Sequence, residues 1–259
     1  MPKFSANLTM MFTDTDFISR FERAGRLGFK GVEFMFPYDF EKSAIVEKLQ
    51  QYNLQVVLHN LSAGNWAAGE RGLACLPDRV EEFQSSVGQA IEYARALKCP
   101  RLNCMAGVTP KGVLQEKIKQ TFIDNLRFAV TAMAKENIRL MIEPINYFDM
   151  PGFYLNYTRQ ALDIIKEVNH PNLRLQYDIY HGQVLEGNLT QTIRDNFNVI
   201  EHMQIADVPG RHEPGTGEIN FTNLFRFIDE SGYNGWIGCE YRPAGRTEDG
   251  LGWVKPFFK

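Results

Sequence analysis

Short, nearly uninterrupted apolar runs recur along this chain, separated by longer stretches of mixed polar and apolar residues. The runs fall at 4–12, 31–37, 55–60, 101–106, 139–143, 173–178, 201–207 and 236–240. Their length and composition predict buried strands. The stretches between them predict helices. One covers 14–27, with Asp14 or Asp16 as its cap and Gly28 as its stop; others cover 41–52, 78–97, 114–136, 158–168, 189–196 and 221–230. Trp253, Phe257 and Phe258 in the tail are expected to pack back on the body.

Strands alternating with helices imply an α/β fold with a parallel sheet. Eight such units follow one another with no composition shift and no low-complexity linker. They predict a closed (β/α)8 TIM barrel, a single domain over residues 1–259. The competing arrangement, a doubly wound open sheet, normally carries a Gly-rich turn after its first strand. Leu8-Thr9-Met10-Met11-Phe12 has none.

Composition narrows the function classes. A net charge of −3 gives no general basic footprint for nucleic acid. No window approaches the ~20 apolar residues of a membrane span. Met1-Pro2-Lys3-Phe4 leads directly into an apolar run without a signal-peptide pattern, so the expected location is the cytoplasm. Cys75, Cys99, Cys104 and Cys239 show no zinc-type spacing and are read as reduced, buried thiols.

The chemistry sits where the apolar runs end. Ile142-Glu143-Pro144, Tyr177-Asp178 and Cys239-Glu240 each close an apolar run with a carboxylate. A barrel gathers the C-terminal ends of its strands on one face, where active sites lie. Buried carboxylates gathered there repel one another and need a cation. Strand seven offers His202, Gln204 and Asp207; His202 and Gln204 share a face, and Gln204 lies nearer the exit. Glu143, Asp178, Gln204 and Glu240 then form an all-oxygen set suited to one divalent ion, Mg2+ or Mn2+. His181, three residues past Asp178, is open to three roles: metal ligand, group behind a ligand, or substrate donor. His59, at the end of strand three, is read as a substrate contact or a core histidine. Glu33 lies inside strand two and is read as a paired core carboxylate. A polar, Gly-containing segment, 61–77, follows strand three; its loop 64–72 is longer than most βα connections and reads as a lid or binding loop. Its Trp66 is expected to close over a small substrate while Arg71 holds the substrate's anion; Arg211 and Arg242 compete for that task.

Pro214-Gly215-Thr216-Gly217 lacks the ending of a P-loop, no lysine lies at a strand end, and there is no Gly-x-Ser-x-Gly elbow. Nucleotide binding, Schiff-base aldol chemistry and serine hydrolysis therefore find no support.

Tyr177-Asp178-Ile179-Tyr180-His181, His202-Met203-Gln204-Ile205-Ala206-Asp207 and Glu213-Pro214-Gly215-Thr216-Gly217-Glu218-Ile219-Asn220, together with the acidic strand ends, resemble the xylose-isomerase-like barrels. Within them the likeness is to the bacterial hydroxypyruvate isomerases. It includes Phe4-Ser5-Ala6-Asn7-Leu8, residues 31–38 and Asn65-Trp66-Ala67-Ala68-Gly69-Glu70-Arg71-Gly72, and it spans nearly the whole chain. The resemblance implies metal ligands at Glu143, Asp178, Gln204 and Glu240, with Glu143 and Glu240 also acting as the acid/base pair. Many relatives carry a histidine where this chain has Gln204. The implied activity is aldose-ketose isomerisation of a small hydroxy-oxo acid, from hydroxypyruvate to 2-hydroxy-3-oxopropanoate, by proton transfer through an enediolate. The same family includes enzymes acting on four-carbon 2-oxo acids. A metal-dependent endonuclease would need more histidines than the five present, and a sugar-binding barrel without turnover is the remaining class.

Overall fold

In a computed structural model, residues 1–258 are described. Eight parallel strands close into a barrel in the order of the sequence: β1 (Lys3–Asn7), β2 (Gly31–Phe34), β3 (Gln55–Asn60), β4 (Arg101–Asn103), β5 (Arg139–Ile142), β6 (Leu173–Asp178), β7 (Ile200–Ile205) and β8 (Trp236–Cys239). The helices are α1 (Phe17–Arg26), α2 (Lys42–Gln51), α3 (Val80–Leu97), α4 (Gln115–Ala134), α5 (Thr158–Val168), α6 (Ile179–Leu185), α7 (Leu189–Asn196) and α8 (Phe221–Glu230). Among the described residues no helix is long and apolar enough to cross a membrane.

The chain divides into two compact units. The first comprises Met1–Phe34, Phe40–Val57 and the residues from Tyr177 onward. Here β1 pairs with β2 (Ser5 opposite Gly31) and with β8 (Phe4 opposite Ile237), and β7 pairs with β8 (Gln204 opposite Gly238). Ala6, Val32, Met203, Ile205, Ile237 and Cys239 are fully buried. At the N-terminal end of β1, the ring of Phe4 meets Phe225, Trp253 and Phe257 at 5.0–5.1 Å, and Phe258 meets Phe29 at 4.8 Å. The tail therefore packs back as its aromatic residues predict. The second unit comprises Met35–Asp39 and Leu58–Gln176. In it β4 lies between β3 and β5, and β5 pairs with β6. Ile118, Phe122 and Leu126 of α4 are buried, as are Leu102, Leu140 and Ile142.

The apolar runs overshoot the strands. The run 4–12 predicts a strand to Phe12, yet β1 ends at Asn7. There the Asn7 carbonyl accepts the Met10 and Met11 amides, and its side chain accepts the Thr9 amide. Leu8, Met11 and Phe12 stay buried without being strand. The runs at 31–37, 101–106 and 201–207 are likewise cut back to Phe34, Asn103 and Ile205. In each case loop residues beyond the strand are buried, so hydrophobicity outlasts strand geometry. Helix α6 was not expected from the sequence. Asp178 caps it, accepting the Tyr180 amide at 2.9 Å.

Candidate active site

Each acidic strand end leads into a differently built surrounding. In the second unit, Glu143 follows β5 directly and is 6 % exposed. Its Oε2 accepts two amide N–H groups, from Asn103 Nδ2 at the end of β4 and from Gln176 Nε2 on β6, both at 2.9 Å. Neither amide was singled out from the sequence. Asn103 is a polar residue inside the apolar run 101–106, and Gln176 lies two positions before Asp178 and so shares its face; both signals were available.

In the first unit, Asp178 ends β6, and its Oδ2 lies 3.4 Å from His181 Nε2 and 3.2 Å from Arg211 Nη2. His181 stands in the first turn of α6, its ring 5.2 Å from that of Tyr180. Burial, then the nearby Arg211 charge, hold its imidazole well below the usual histidine range. Glu240 follows β8; its Oε1 accepts Asn7 Nδ2 at 3.1 Å and its Oε2 accepts Arg211 Nη2 at 2.6 Å. Burial pushes its carboxyl up to about 8; Asp178 and Glu33 raise it too, while Arg211 and a hydrogen bond with Gln204 pull it down. The Arg211 guanidinium also lies 4.8 Å over the Tyr180 ring.

Beneath Glu240, Gln204 Nε2 donates to Glu33 Oε1 at 2.9 Å. A carboxylate only accepts, so the NH2 end of the Gln204 amide faces Glu33. Glu33 is completely buried and also accepts Ser5 Oγ (2.9 Å), Asn7 Nδ2 (3.1 Å) and His202 Nε2 (2.9 Å). It is the paired core carboxylate its position inside β2 predicts.

In the first unit, Asp178, His181 and Glu240 belong to a buried group whose ligand atoms lie within 4.8 Å of one another. Two carboxylates and one imidazole kept neutral by burial are donors that fit a divalent ion. Beside the all-oxygen set expected from the strand ends, this group brings in a nitrogen.

The other expected contacts, His59, Trp66 and Arg71, lie in the second unit. His59 is fully buried at the end of β3; its Nδ1 donates to the Asn60 carbonyl at 3.1 Å, and burial pulls its pKa down to about 4. Its ring centroid lies 6.1 Å from that of Tyr38. The loop 64–72 has structure of its own. Trp66–Ala68 form a 3-10 turn, capped by Asn65 Oδ1 accepting the Ala68 amide at 3.0 Å, and Glu70 pairs with Arg79 at 2.7 Å. Arg71 stacks its guanidinium 3.9 Å over the Trp66 ring and donates Nη1 to the Trp66 and Glu70 carbonyls.

With this geometry in view, the comparisons with known proteins agree. The family model described as "Xylose isomerase-like TIM barrel" matches residues 21–257. The chain belongs to this family. It is 54 % identical over 257 residues to a hydroxypyruvate isomerase of Escherichia coli (strain K12), covering 99 % of this chain and 100 % of that one. It is 46 % identical over 259 residues to a 2-oxo-tetronate isomerase of Pectobacterium atrosepticum, covering 100 % and 99 % of the two. Among solved structures, one titled AP endonuclease, family 2, from Brucella melitensis superposes with a TM-score of 0.97 at 45 % identity, covering 99 % of each chain. A D-psicose 3-epimerase from Clostridium cellulolyticum H10 superposes at 0.77 with 18 % identity, covering 97 % and 89 %, a likeness of fold alone.

Proposed function

We propose that this chain is a metal-dependent sugar-acid isomerase that interconverts hydroxypyruvate and 2-hydroxy-3-oxopropanoate. The observation that carries the reading is the buried group of Asp178, His181 and Glu240 in a chain 54 % identical, end to end, to a hydroxypyruvate isomerase. Glu143, Asp178 and Glu240 would hold the ion, with Gln204 or His181 completing the set. An ion there, Mg2+ or Mn2+, supplies positive charge that acidifies the C–H between a carbonyl and a hydroxyl.

The remaining chemistry belongs to the chain. One of Glu143 and Glu240 takes the proton from the substrate carbon, and the other returns a proton to the neighbouring carbon through an enediolate. The amides of Asn103 and Gln176 orient Glu143, and that of Asn7 orients Glu240. Without a cation, burial raises the Glu240 carboxyl to about 8; an ion bound there would offset the cost of its charge. Arg211, held by Asp178 and Glu240, is the best placed of the three candidate arginines to receive the substrate carboxylate. Arg71 is engaged by its own loop.

A four-carbon 2-oxo acid is the second reading, favoured by the 46 % identity to a 2-oxo-tetronate isomerase. Nuclease action finds little support in a chain of net charge −3. A panel of three- and four-carbon hydroxy-oxo acids, run on metal-stripped enzyme and restored with magnesium or manganese in turn, tests the reading. In D2O the product carbon that gains hydrogen should carry deuterium. Complete retention of substrate hydrogen there would sink the two-base route in favour of a hydride shift or a fully shielded single-base transfer, and no turnover of any member of the panel would sink the isomerase.

A further inference from the structure

Asp207 carries a carboxylate and is completely buried. It follows β7 and opens the loop that carries Arg211. Each of its oxygens accepts two backbone N–H groups. Oδ1 takes those of Val208 (2.9 Å) and Ile219 (3.1 Å); Oδ2 takes those of Gly215 and Gly217, both at 2.9 Å. Four amide dipoles thus replace water around the charge, the arrangement a buried carboxylate requires. Its own backbone closes the same loop: Asp207 N donates to the His212 carbonyl at 2.8 Å, and its carbonyl accepts the Arg211 amide at 3.1 Å.

The loop is drawn in tightly enough that only glycine fits at 217. A Cβ there would run into the Val208 carbonyl and come within 2.7 Å of Asp207 Oδ1. Arg211 sits at the waist of this loop with φ +58°, a left-handed conformation that an arginine adopts only when its surroundings impose it. Its carbonyl is pinned by the Arg242 amide at 2.8 Å, and the next residue, His212, donates Nδ1 to the Arg242 carbonyl at 2.7 Å. The guanidinium at the far end reaches Asp178 and Glu240.

We propose that Asp207 is the positioning residue for Arg211: by gathering the amides of the 208–219 loop it fixes the guanidinium where a substrate carboxylate is received. The inference rests on the reading above that Arg211 holds the substrate's anionic end. Asparagine cannot substitute. Whichever end of its amide becomes NH2 then faces two N–H donors, and no rotation of the group removes the conflict.

The experiment is a double-mutant cycle on the metal-loaded enzyme, with hydroxypyruvate and its neutral analogue dihydroxyacetone as substrates. Asp207→Asn should raise KM for hydroxypyruvate about 10-fold or more, with kcat changed about threefold at most, and should leave kcat/KM for dihydroxyacetone nearly unmoved. In an Arg211→Ala background the same substitution should add less than about twofold, because the two changes remove one interaction. Amide hydrogen exchange at Gly215, Gly217 and Ile219 should quicken in Asp207→Asn independently of turnover. If Asp207→Asn does not fold, Gly217→Ala, which keeps the carboxylate but displaces the loop, takes its place with the same expectations. Equal losses on both substrates, or an effect undiminished by Arg211→Ala, would overturn the inference and leave Asp207 a purely structural group. An unchanged KM in Arg211→Ala alone would overturn the reading of Arg211 itself, and this inference with it. A clear Arg211→Ala effect beside a silent Asp207→Asn would overturn the inference only.

Discussion

Glu33 and Glu240 lie on neighbouring parts of the same unit, share Asn7 and Gln204 as hydrogen-bond partners, and have opposite electrostatic character. Both lose most of their water, which by itself favours the protonated acid. At Glu33 burial is outweighed by the attraction of His202 and by hydrogen bonds from His202, Gln204 and Ser5, so its carboxyl is held below the ordinary range. At Glu240 burial wins. Arg211 and Gln204 offset it only in part, Asp178 and Glu33 add repulsion, and the carboxyl rises to about 8. Even the backbone serves the Glu33 pairing: a Cβ at Gly238 on β8 would overlap both Glu33 carboxylate oxygens. One carboxylate is completed by the protein. The other is left short of positive charge at the place where a cation and a substrate are proposed to bind.

Taking the cation away should give the largest effect. A chelator is expected to abolish activity and to lower thermal stability, since binding free energy is lost from the folded state alone, about 2.7 kcal/mol for an ion at 100 times its Kd. Full activity in excess chelator, with the absence of metal verified by elemental analysis, would remove the basis for setting the two carboxylates apart.

Substitution comes next. Glu240→Gln and Glu143→Gln should each lower kcat roughly 100-fold or more, the scale of a general acid–base group, and leave the melting temperature of the chelated protein level or higher. Glu33→Gln should reverse the pattern. Its new NH2 can turn toward Ser5 and His202, whose hydroxyl and ring nitrogen can both accept, while its oxygen keeps the Asn7 and Gln204 donors. Geometry is kept and one charge-assisted bond is lost, so stability should fall by about 2 kcal/mol with kcat changed by only a few-fold. Urea unfolding and steady-state kinetics on the same preparations separate the cases. A Glu33→Gln enzyme as inactive as Glu240→Gln at unchanged stability would show that the two groups do not divide structure from chemistry.

Much of this division was legible in the chain itself. Glu33 sits in the middle of its apolar run, whereas Glu143, Asp178 and Glu240 sit at the ends of theirs, and in a barrel that difference separates interior from rim. The α/β alternation carried the closed barrel for the same reason: period and order along the sequence are local properties. What stayed hidden was set by contacts between distant residues. Asn7, 233 residues from Glu240, is an ordinary polar residue until β1 and β8 pair. Asp207 reads as one more polar end to a strand until the 208–219 loop folds back onto it. Arg71 and Trp66 have the composition of a lid, but the Trp66 and Glu70 carbonyls take up the guanidinium within the loop, which composition does not announce. Helix α6 escaped because Tyr180-His181-Gly182 lacks a helical pattern and the segment is only 7 residues long.

The subtlest test of the comparison is the pH dependence of stability in chelated protein, where the two carboxylates should pull in opposite directions. For Glu33 the folded value lies below that of the unfolded chain, ordinarily 4.5. Its contribution is complete above that value and is lost as pH falls through the folded one. For Glu240 the folded value, about 8, lies above the ordinary 4.5. Between those values the folded protein keeps a proton that the unfolded chain has released, so stability falls as pH rises and the full penalty is reached above about 8. On the scale of about 1.4 kcal/mol per unit, that penalty is on the order of a few kcal/mol. Glu240→Gln should therefore flatten the decline between pH 5 and 8, and Glu33→Gln should flatten the loss on the acid side while leaving the neutral-to-alkaline limb as it was. Unfolding free energies from urea titrations at closely spaced pH values would show it. A decline between pH 5 and 8 that persists in Glu240→Gln would mean that the strained charge lies elsewhere, with Asp178, in contact with the same Arg211, the first place to look.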